Sequence, residues 1–137
     1  WHRLATALLS NNSSESDPSA LTELGDALLA AGDVDAAHTC YLLSPQTSHI
    51  GRLGSPSARI VLVGSGGLPT NSFFSNVVSI RLSEIVEMCN VNSSLLSGDK
   101  HKLNGLIPHL QEYKISIIWW LIDMGNLNNA LRYCQSL

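Results

Sequence analysis

The chain has 137 residues, of which 45% are hydrophobic and 14% are charged, and its formal net charge is −3. This length suits one folded domain that buries about two-thirds of its unfolded surface, and the hydrophobic content excludes a disordered tail. Lys and Arg occur singly along the sequence, so we expect neither nucleic-acid binding nor adsorption to an anionic membrane. Because charged residues are scarce, we expect part of the surface to contact another chain or a further part of a longer protein.

Residues 1–10 predict a short helix, and the segment 11–19 that follows predicts a polar loop that ends in a helix start. Asp17 is suited to cap the next helix, and Pro18 is suited to its first position, where the missing N–H costs no hydrogen bond.

The stretch 21–43 predicts a pair of short antiparallel helices joined by a tight turn. The first helix has an apolar stripe at helical spacing, formed by Leu21, Leu24, Leu28 and Ala31. Gly32 then stops this helix and Asp33 can cap a second one, whose inner face would consist of Val34, Ala37, Tyr41 and Leu42.

The segment 121–134 repeats this pattern near the end of the chain. Gly125 takes the place of Gly32 and Asn126 that of Asp33, while Leu127 corresponds to Val34 and Ala130 to Ala37. The small Ala allows two helices to approach closely at their crossing. The sequence therefore predicts an array of antiparallel helix pairs.

Between the helix pairs, residues 44–67 are rich in Gly, Pro and Ser and include the β-branched run 60–63. In isolation this run is a strand candidate, but in a helical array we expect an extended connecting segment near 58–67. Gly64 and Gly66 after the run resemble the start of a dinucleotide-binding loop. Pro69 stands where the third glycine would fall and no βαβ pattern surrounds the run, so the sequence disfavours a nucleotide site and a nucleotide-dependent enzyme stays the lowest-ranked alternative.

Residues 76–90 predict an amphipathic helix, with a solvated loop over 92–105. Its predicted inner stripe is Val78, Leu82, Ile85 and Cys89, and its predicted outward residues are Arg81, Glu84 and Glu87.

Pro108 precedes a helix whose apolar residues surround its axis, which predicts a helix buried on all sides or packed on a partner. We expect at least one of Trp119 and Trp120 to pack in the core, and the other is suited to anchor an interface.

The sequence predicts no catalytic, cofactor-binding or metal-binding residue. His38 and Cys40 lie on different faces of a helix and have no matching pair at metal-ligand spacing. Cys40, Cys89 and Cys134 are predicted to be buried free thiols of a cytosolic protein. The sequence does not identify the residues that contact partners, because core and interface residues are both apolar.

Several segments, in order, carry a resemblance to a known family. They are Trp1 with Leu4, Ala5 and Leu9 to Asn11; LGDAL at 24–28; Gly32 with AAHTCYL at 36–42; SARIVLVGS at 57–65; IRLSEIVEM at 80–88; LIPHLQEYK at 106–114; WWLIDMG at 119–125; and ALRYC at 130–134. With these segments the chain resembles the central helical domain of the Sec sixteen family, the scaffold proteins of endoplasmic-reticulum exit sites.

The resemblance implies an all-α domain of the ancestral coatomer element type and a role in organising COPII coat assembly for transport from the endoplasmic reticulum to the Golgi. It implies COPII coat partners, including the β-propeller subunit Sec thirteen, whose completing segment would lie upstream of Trp1. It also implies a location on the cytosolic face of the endoplasmic reticulum, held there by partners and without direct membrane insertion.

We therefore predict an all-α fold, an α-solenoid of antiparallel helix pairs in which 1–137 forms a single helical unit of a larger solenoid in a longer protein. The predicted function is that of a non-enzymatic scaffold segment for COPII assembly, and the low charge leaves room for homo-oligomerisation. The alternative is a generic helical-repeat module that binds another partner, and a nucleotide-dependent enzyme ranks third.

Overall fold

The computed structural model describes residues 1–10, 19–52, 54–55, 57–66, 76–96, 106–135 and 137. These residues form six α-helices: α1 (His2–Ser10), α2 (Ala20–Ala30), α3 (Val34–Leu43), α4 (Val77–Leu96), α5 (Leu110–Asp123) and α6 (Leu127–Gln135). The described residues contain no β-strand, so the predicted all-α class is confirmed. The predicted cap at Asp17 and Pro18 lies outside the described residues.

The chain divides into two compact units, an N-terminal unit, Trp1–Gly66, and a C-terminal unit, Gly67–Leu137. The N-terminal unit holds α1, α2 and α3, and the C-terminal unit holds α4, α5 and α6. Each contains one of the two predicted helix pairs, whereas the stacking of the pairs into a solenoid stays a prediction.

The turn between α2 and α3 has the predicted conformation. Gly32 adopts a positive φ of 86°, which costs glycine little because it has no Cβ. The Asp33 N–H donates to the Leu28 carbonyl at 3.0 Å, and the Gly32 N–H donates to the Leu29 carbonyl at 3.0 Å. Asp33 also caps α3, since its side chain accepts from the Ala36 N–H at 3.2 Å. Glycine and cap therefore end one helix and start the next.

The turn between α5 and α6 repeats this hydrogen-bond pattern in the C-terminal unit. Gly125 has a φ of 74°. The Asn126 N–H donates to the Leu121 carbonyl at 2.8 Å, and the Gly125 N–H donates to the Ile122 carbonyl at 2.8 Å. The predicted equivalence of the two turns is confirmed at the level of backbone geometry.

Helices α2 and α3 pack closely around Gly25. A Cβ on Gly25 would lie only 2.5 Å from Cε1 of the buried Tyr41 ring. Ala37, the small residue predicted for the crossing, is completely buried. A parallel bridge joins Ile50 to Ile60, and beyond it the backbone turns instead of continuing as a strand. The run 60–63 is thus a connecting segment, with Ile60 and Leu62 completely buried.

Three expectations for the C-terminal unit are wrong. Helix α4 extends to Leu96, whereas the sequence predicted that it ends at residue 90 and that a loop begins at residue 92. Of the two alternatives for α5, burial on all sides is wrong, because Trp119 is 62% exposed and Trp120 is half-buried. Packing of α5 on a partner stays a prediction. Cys40 is buried as predicted, but Cys89 and Cys134 are exposed free thiols. Helical spacing alone did not show which face of each helix its neighbours cover.

Candidate protein-binding surface

Helix α4 directs its apolar side away from the rest of the C-terminal unit. Val78 is 68% exposed, Ile85 is 51% exposed and Met88 is 58% exposed, with Leu82 between them also exposed. These four residues recur at three- and four-residue spacing and share one side of the helix, which we call the α4 outward face. The predicted inner stripe of Val78, Leu82, Ile85 and Cys89 is therefore wrong.

The opposite, more polar side of α4 is buried because specific partners satisfy it. Glu87 is only 6% exposed. One of its carboxylate oxygens accepts from Lys114 Nζ at 2.5 Å and the other accepts from the Ile107 N–H at 2.9 Å. A buried carboxylate is tolerated when it is paired and hydrogen-bonded in this way. The prediction that Glu87 faces outward is therefore wrong. Helical spacing could not show the burial of Glu87, because its partners lie 20 and 27 residues further along the chain.

A second polar cluster connects α4 to α6. Glu84 pairs with Arg81 Nη1 at 2.8 Å and accepts a hydrogen bond from the Tyr133 hydroxyl. The Arg81 guanidinium lies 4.7 Å from the centre of the Tyr133 ring, within the range of a cation–π interaction. Together with the Glu87 contacts, this cluster orients α4 so that its apolar residues point outward.

Helices α5 and α6 also expose apolar residues. Ile115, Trp119 and Ile122 follow helical spacing on one side of α5, and all three are exposed. Leu127 and Leu131 are exposed on α6. Exposed Trp side chains are favourable interface anchors because they bury a large area with few rotatable bonds. The C-terminal unit thus presents more apolar surface than isolated surface residues would account for.

In the N-terminal unit, polar contacts around Asp26 join two helices to the connecting segment. The Tyr41 hydroxyl donates to Asp26 Oδ1 at 2.6 Å, and Arg59 Nη1 lies 3.2 Å from the same oxygen. Burial raises the pKa of Tyr41, and the hydrogen bond to Asp26 raises it further, so the hydroxyl keeps its proton. The network connects α2, α3 and the segment that contains Arg59.

His38 fixes the glycine loop that resembles a dinucleotide-binding turn. Its Nδ1 atom accepts from the Gly64 N–H at 2.9 Å, so the ring is neutral and carries its proton on Nε2. Burial lowers the pKa of His38, although the nearby Asp35 carboxylate opposes this effect. A dinucleotide loop would direct such an N–H at a pyrophosphate, and here it is already donated to the imidazole.

The polar groups described above hold the helices of each unit together. Among the described residues, no group of three or more His, Cys, Asp or Glu side chains is placed to hold a metal ion. Within the same residues, no helix is long and apolar enough to cross a membrane. The helix side with the most exposed apolar residues described above is the α4 outward face, which is the candidate protein-binding surface.

A family model described as the Sec16 Sec23-binding domain matches residues 1–137. The COPII coat assembly protein SEC16 of Phaeosphaeria nodorum is 33% identical over 137 residues, which cover 98% of this chain and 7% of that protein. The COPII coat assembly protein sec16 of Aspergillus clavatus is 34% identical over 139 residues, with 100% and 7% covered. The mouse Protein transport protein Sec16B is 29% identical over 141 residues, with 100% and 12% covered. No solved structure matches the chain.

Proposed function

The chain belongs to the Sec16 Sec23-binding domain family, and on this basis we propose that it is a non-enzymatic scaffold segment that organises COPII coat assembly at endoplasmic-reticulum exit sites. The family description supports a COPII coat subunit of the Sec23 type as a direct partner. The chain spans only about 7% of the length of these fungal relatives. We propose that the scaffold role belongs to a longer protein in which this domain supplies one binding surface.

The observation that carries the binding role is the orientation of α4. A helix whose polar side is buried and whose apolar side is exposed is unfavourable in water, unless another surface covers the apolar residues. Glu87 and Lys114 hold this orientation by a buried ion pair, so the exposure of Val78 and Ile85 is built into the fold. We assign the coat-binding contact to the α4 outward face.

Further partners follow from the resemblance to the scaffold family. The β-propeller subunit Sec thirteen is one proposed partner, reached through a segment outside this chain, and a second copy of the chain is another. The proposed location is the cytosolic face of exit sites, where coat partners hold the protein. Light scattering on the chain tests self-association: a molar mass of one chain across the micromolar range would refute the second-copy contact.

A pull-down with paired variants tests the coat-binding contact. The bait is a longer chain that contains this domain, and the variant Leu82→Glu/Ile85→Glu places two charges on the α4 outward face. The control Leu29→Glu/Leu43→Glu places two charges on comparably exposed leucines of the N-terminal unit. We expect the α4 variant to lose at least about tenfold in recovered Sec23-type subunit, because two carboxylates would be desolvated in the contact.

Equal recovery with both variants would refute the assignment to α4. If the unmodified chain recovers no coat subunit at all, the alternative of a helical-repeat module with another partner replaces the scaffold function. Circular dichroism of each bait confirms that the substitutions leave the helices intact.

A further inference from the structure

The C-terminal unit contains a pocket of about 320 Å³ whose lining is rich in cationic and amide groups. The lining residues are Arg81, Leu121, Asn129, Arg132 and Tyr133. This volume is at the lower end of the range for ligand-binding pockets, about 300–1,000 Å³, and fits a few side chains of a partner.

The charges in and beside the pocket do not balance. Arg81 is neutralised in part by Glu84, to which its Nη1 donates at 2.8 Å. In the part of the chain that the structure describes, Arg132 forms no ion pair. Two guanidinium groups and one carboxylate leave an excess of one positive charge, in a chain whose formal net charge is −3. An anionic group is therefore the complementary occupant.

The surroundings of the pocket narrow the chemistry of this occupant. Arg81 lies three residues after Val78 and four residues before Ile85, so it shares one side of α4 with these two residues of the outward face. Leu121 adds an apolar wall from α5. The Asn129 amide can donate two further hydrogen bonds. A segment that lies along the α4 outward face would thus bring a side chain directly to the two arginines.

We propose that this pocket binds a carboxylate side chain, Asp or Glu, of an apolar protein segment that lies on the α4 outward face. The Arg132 guanidinium pairs with the carboxylate, and the free donors of Arg81 complete the contact. The inference rests on the proposed coat-binding function, since it names the chemistry by which the same surface recognises its partner. In this proposal the apolar residues of α4 supply most of the binding affinity. The two arginines select the partner and fix the position of its segment along the helix.

Charge reversal at Arg132 tests this proposal in the longer chain. Arg132→Glu is compared with Arg132→Lys, which keeps the charge, and with Arg132→Gln, which removes it with less perturbation. Arg3→Glu, on the exposed side of α1, is the matched control for total charge. The affinity for the Sec23-type subunit is measured at low and at moderate ionic strength.

We expect Arg132→Glu to weaken binding about tenfold or more at low salt, and to reduce the salt dependence of the affinity, because a paired charge is lost. Arg132→Gln should show a smaller loss, and both Arg132→Lys and Arg3→Glu should stay within about twofold of the unmodified chain. If Arg132→Glu binds as well as the unmodified chain while Leu82→Glu/Ile85→Glu does not bind, the pocket proposal is overturned and the proposed function stands. If the unmodified chain does not bind, both fall.

Discussion

Removing the Glu87 carboxylate should unfold the C-terminal unit more readily than any change at an exposed ion pair. In Glu87→Ala, Lys114 keeps its charge at a site where its side chain is only 11% exposed. The Ile107 N–H also loses its acceptor, which lies 2.9 Å away in the native structure. The substitution thus leaves a buried cation and a buried donor without partners.

The cost follows from the burial of the pair. Removing one partner of a buried ion pair destabilises by about 3–5 kcal/mol, and an unsatisfied buried donor costs about 1–3 kcal/mol. The two costs overlap because Lys114 relaxes toward water once it is unpaired, so we expect about 3–5 kcal/mol in total. The double variant Glu87→Gln/Lys114→Met removes both charges and keeps an acceptor for Ile107, so it should recover most of this loss.

Urea unfolding followed by circular dichroism measures these differences as shifts of the midpoint. Arg59→Met is the control, because it breaks the exposed pair with Asp26, where the two side chains are 49% and 40% exposed, and should cost no more than about 1 kcal/mol. A loss below about 1 kcal/mol in Glu87→Ala, or a double variant less stable than the single one, would contradict a buried pair that fixes the orientation of α4.

Two further predictions concern the helix turn and the glycine loop. Gly125→Val should lower the free energy of unfolding by about 1–3 kcal/mol, because the φ of 74° disfavours a β-branched residue. The cost would come from backbone strain alone, since a Cβ on Gly125 would meet no atom within 4 Å. An unchanged melting temperature would show that the turn does not have this conformation. Because burial lowers the pKa of His38 below its ordinary 6.5, the unfolded chain binds the proton more tightly, so the stability from this group is complete above about pH 6.5 and declines as the pH falls below it. His38→Gln should lack this loss of stability at low pH, and its side-chain oxygen can still accept from the Gly64 N–H. If the urea midpoint of the unmodified chain is equal at about pH 5 and pH 7, the neutral imidazole is refuted.

The helix turns could be predicted from the sequence because their signals are local. Gly32 and Asp33 are adjacent, and the hydrogen bonds that end α2 and start α3 span only a few residues. Gly125 and Asn126 repeat the same local pattern, so the second turn followed from the first. The resemblance to the family could also be recognised from the sequence, because it rests on segments of contiguous residues.

The orientation of α4 could not be predicted, because it depends on contacts between distant residues. The apolar spacing of Val78, Leu82 and Ile85 showed that these residues avoid water, but not whether this protein or a partner covers them. The buried side is determined by Glu87, whose partner Lys114 is 27 residues away. A charged residue on a helix is ordinarily assigned to solvent, and only the structure shows that this one is paired in the interior.

Hydrogen–deuterium exchange of the chain, with and without a purified Sec23-type coat subunit, tests the central claim most directly. Backbone amides of Val77–Leu96 should exchange more slowly in the complex, because a partner on the α4 outward face suppresses local opening of that helix. Amides of α2 and α3 should be unaffected. Unchanged exchange in α4 despite binding, or protection confined to the N-terminal unit, would contradict the assignment of α4 as the coat-binding surface.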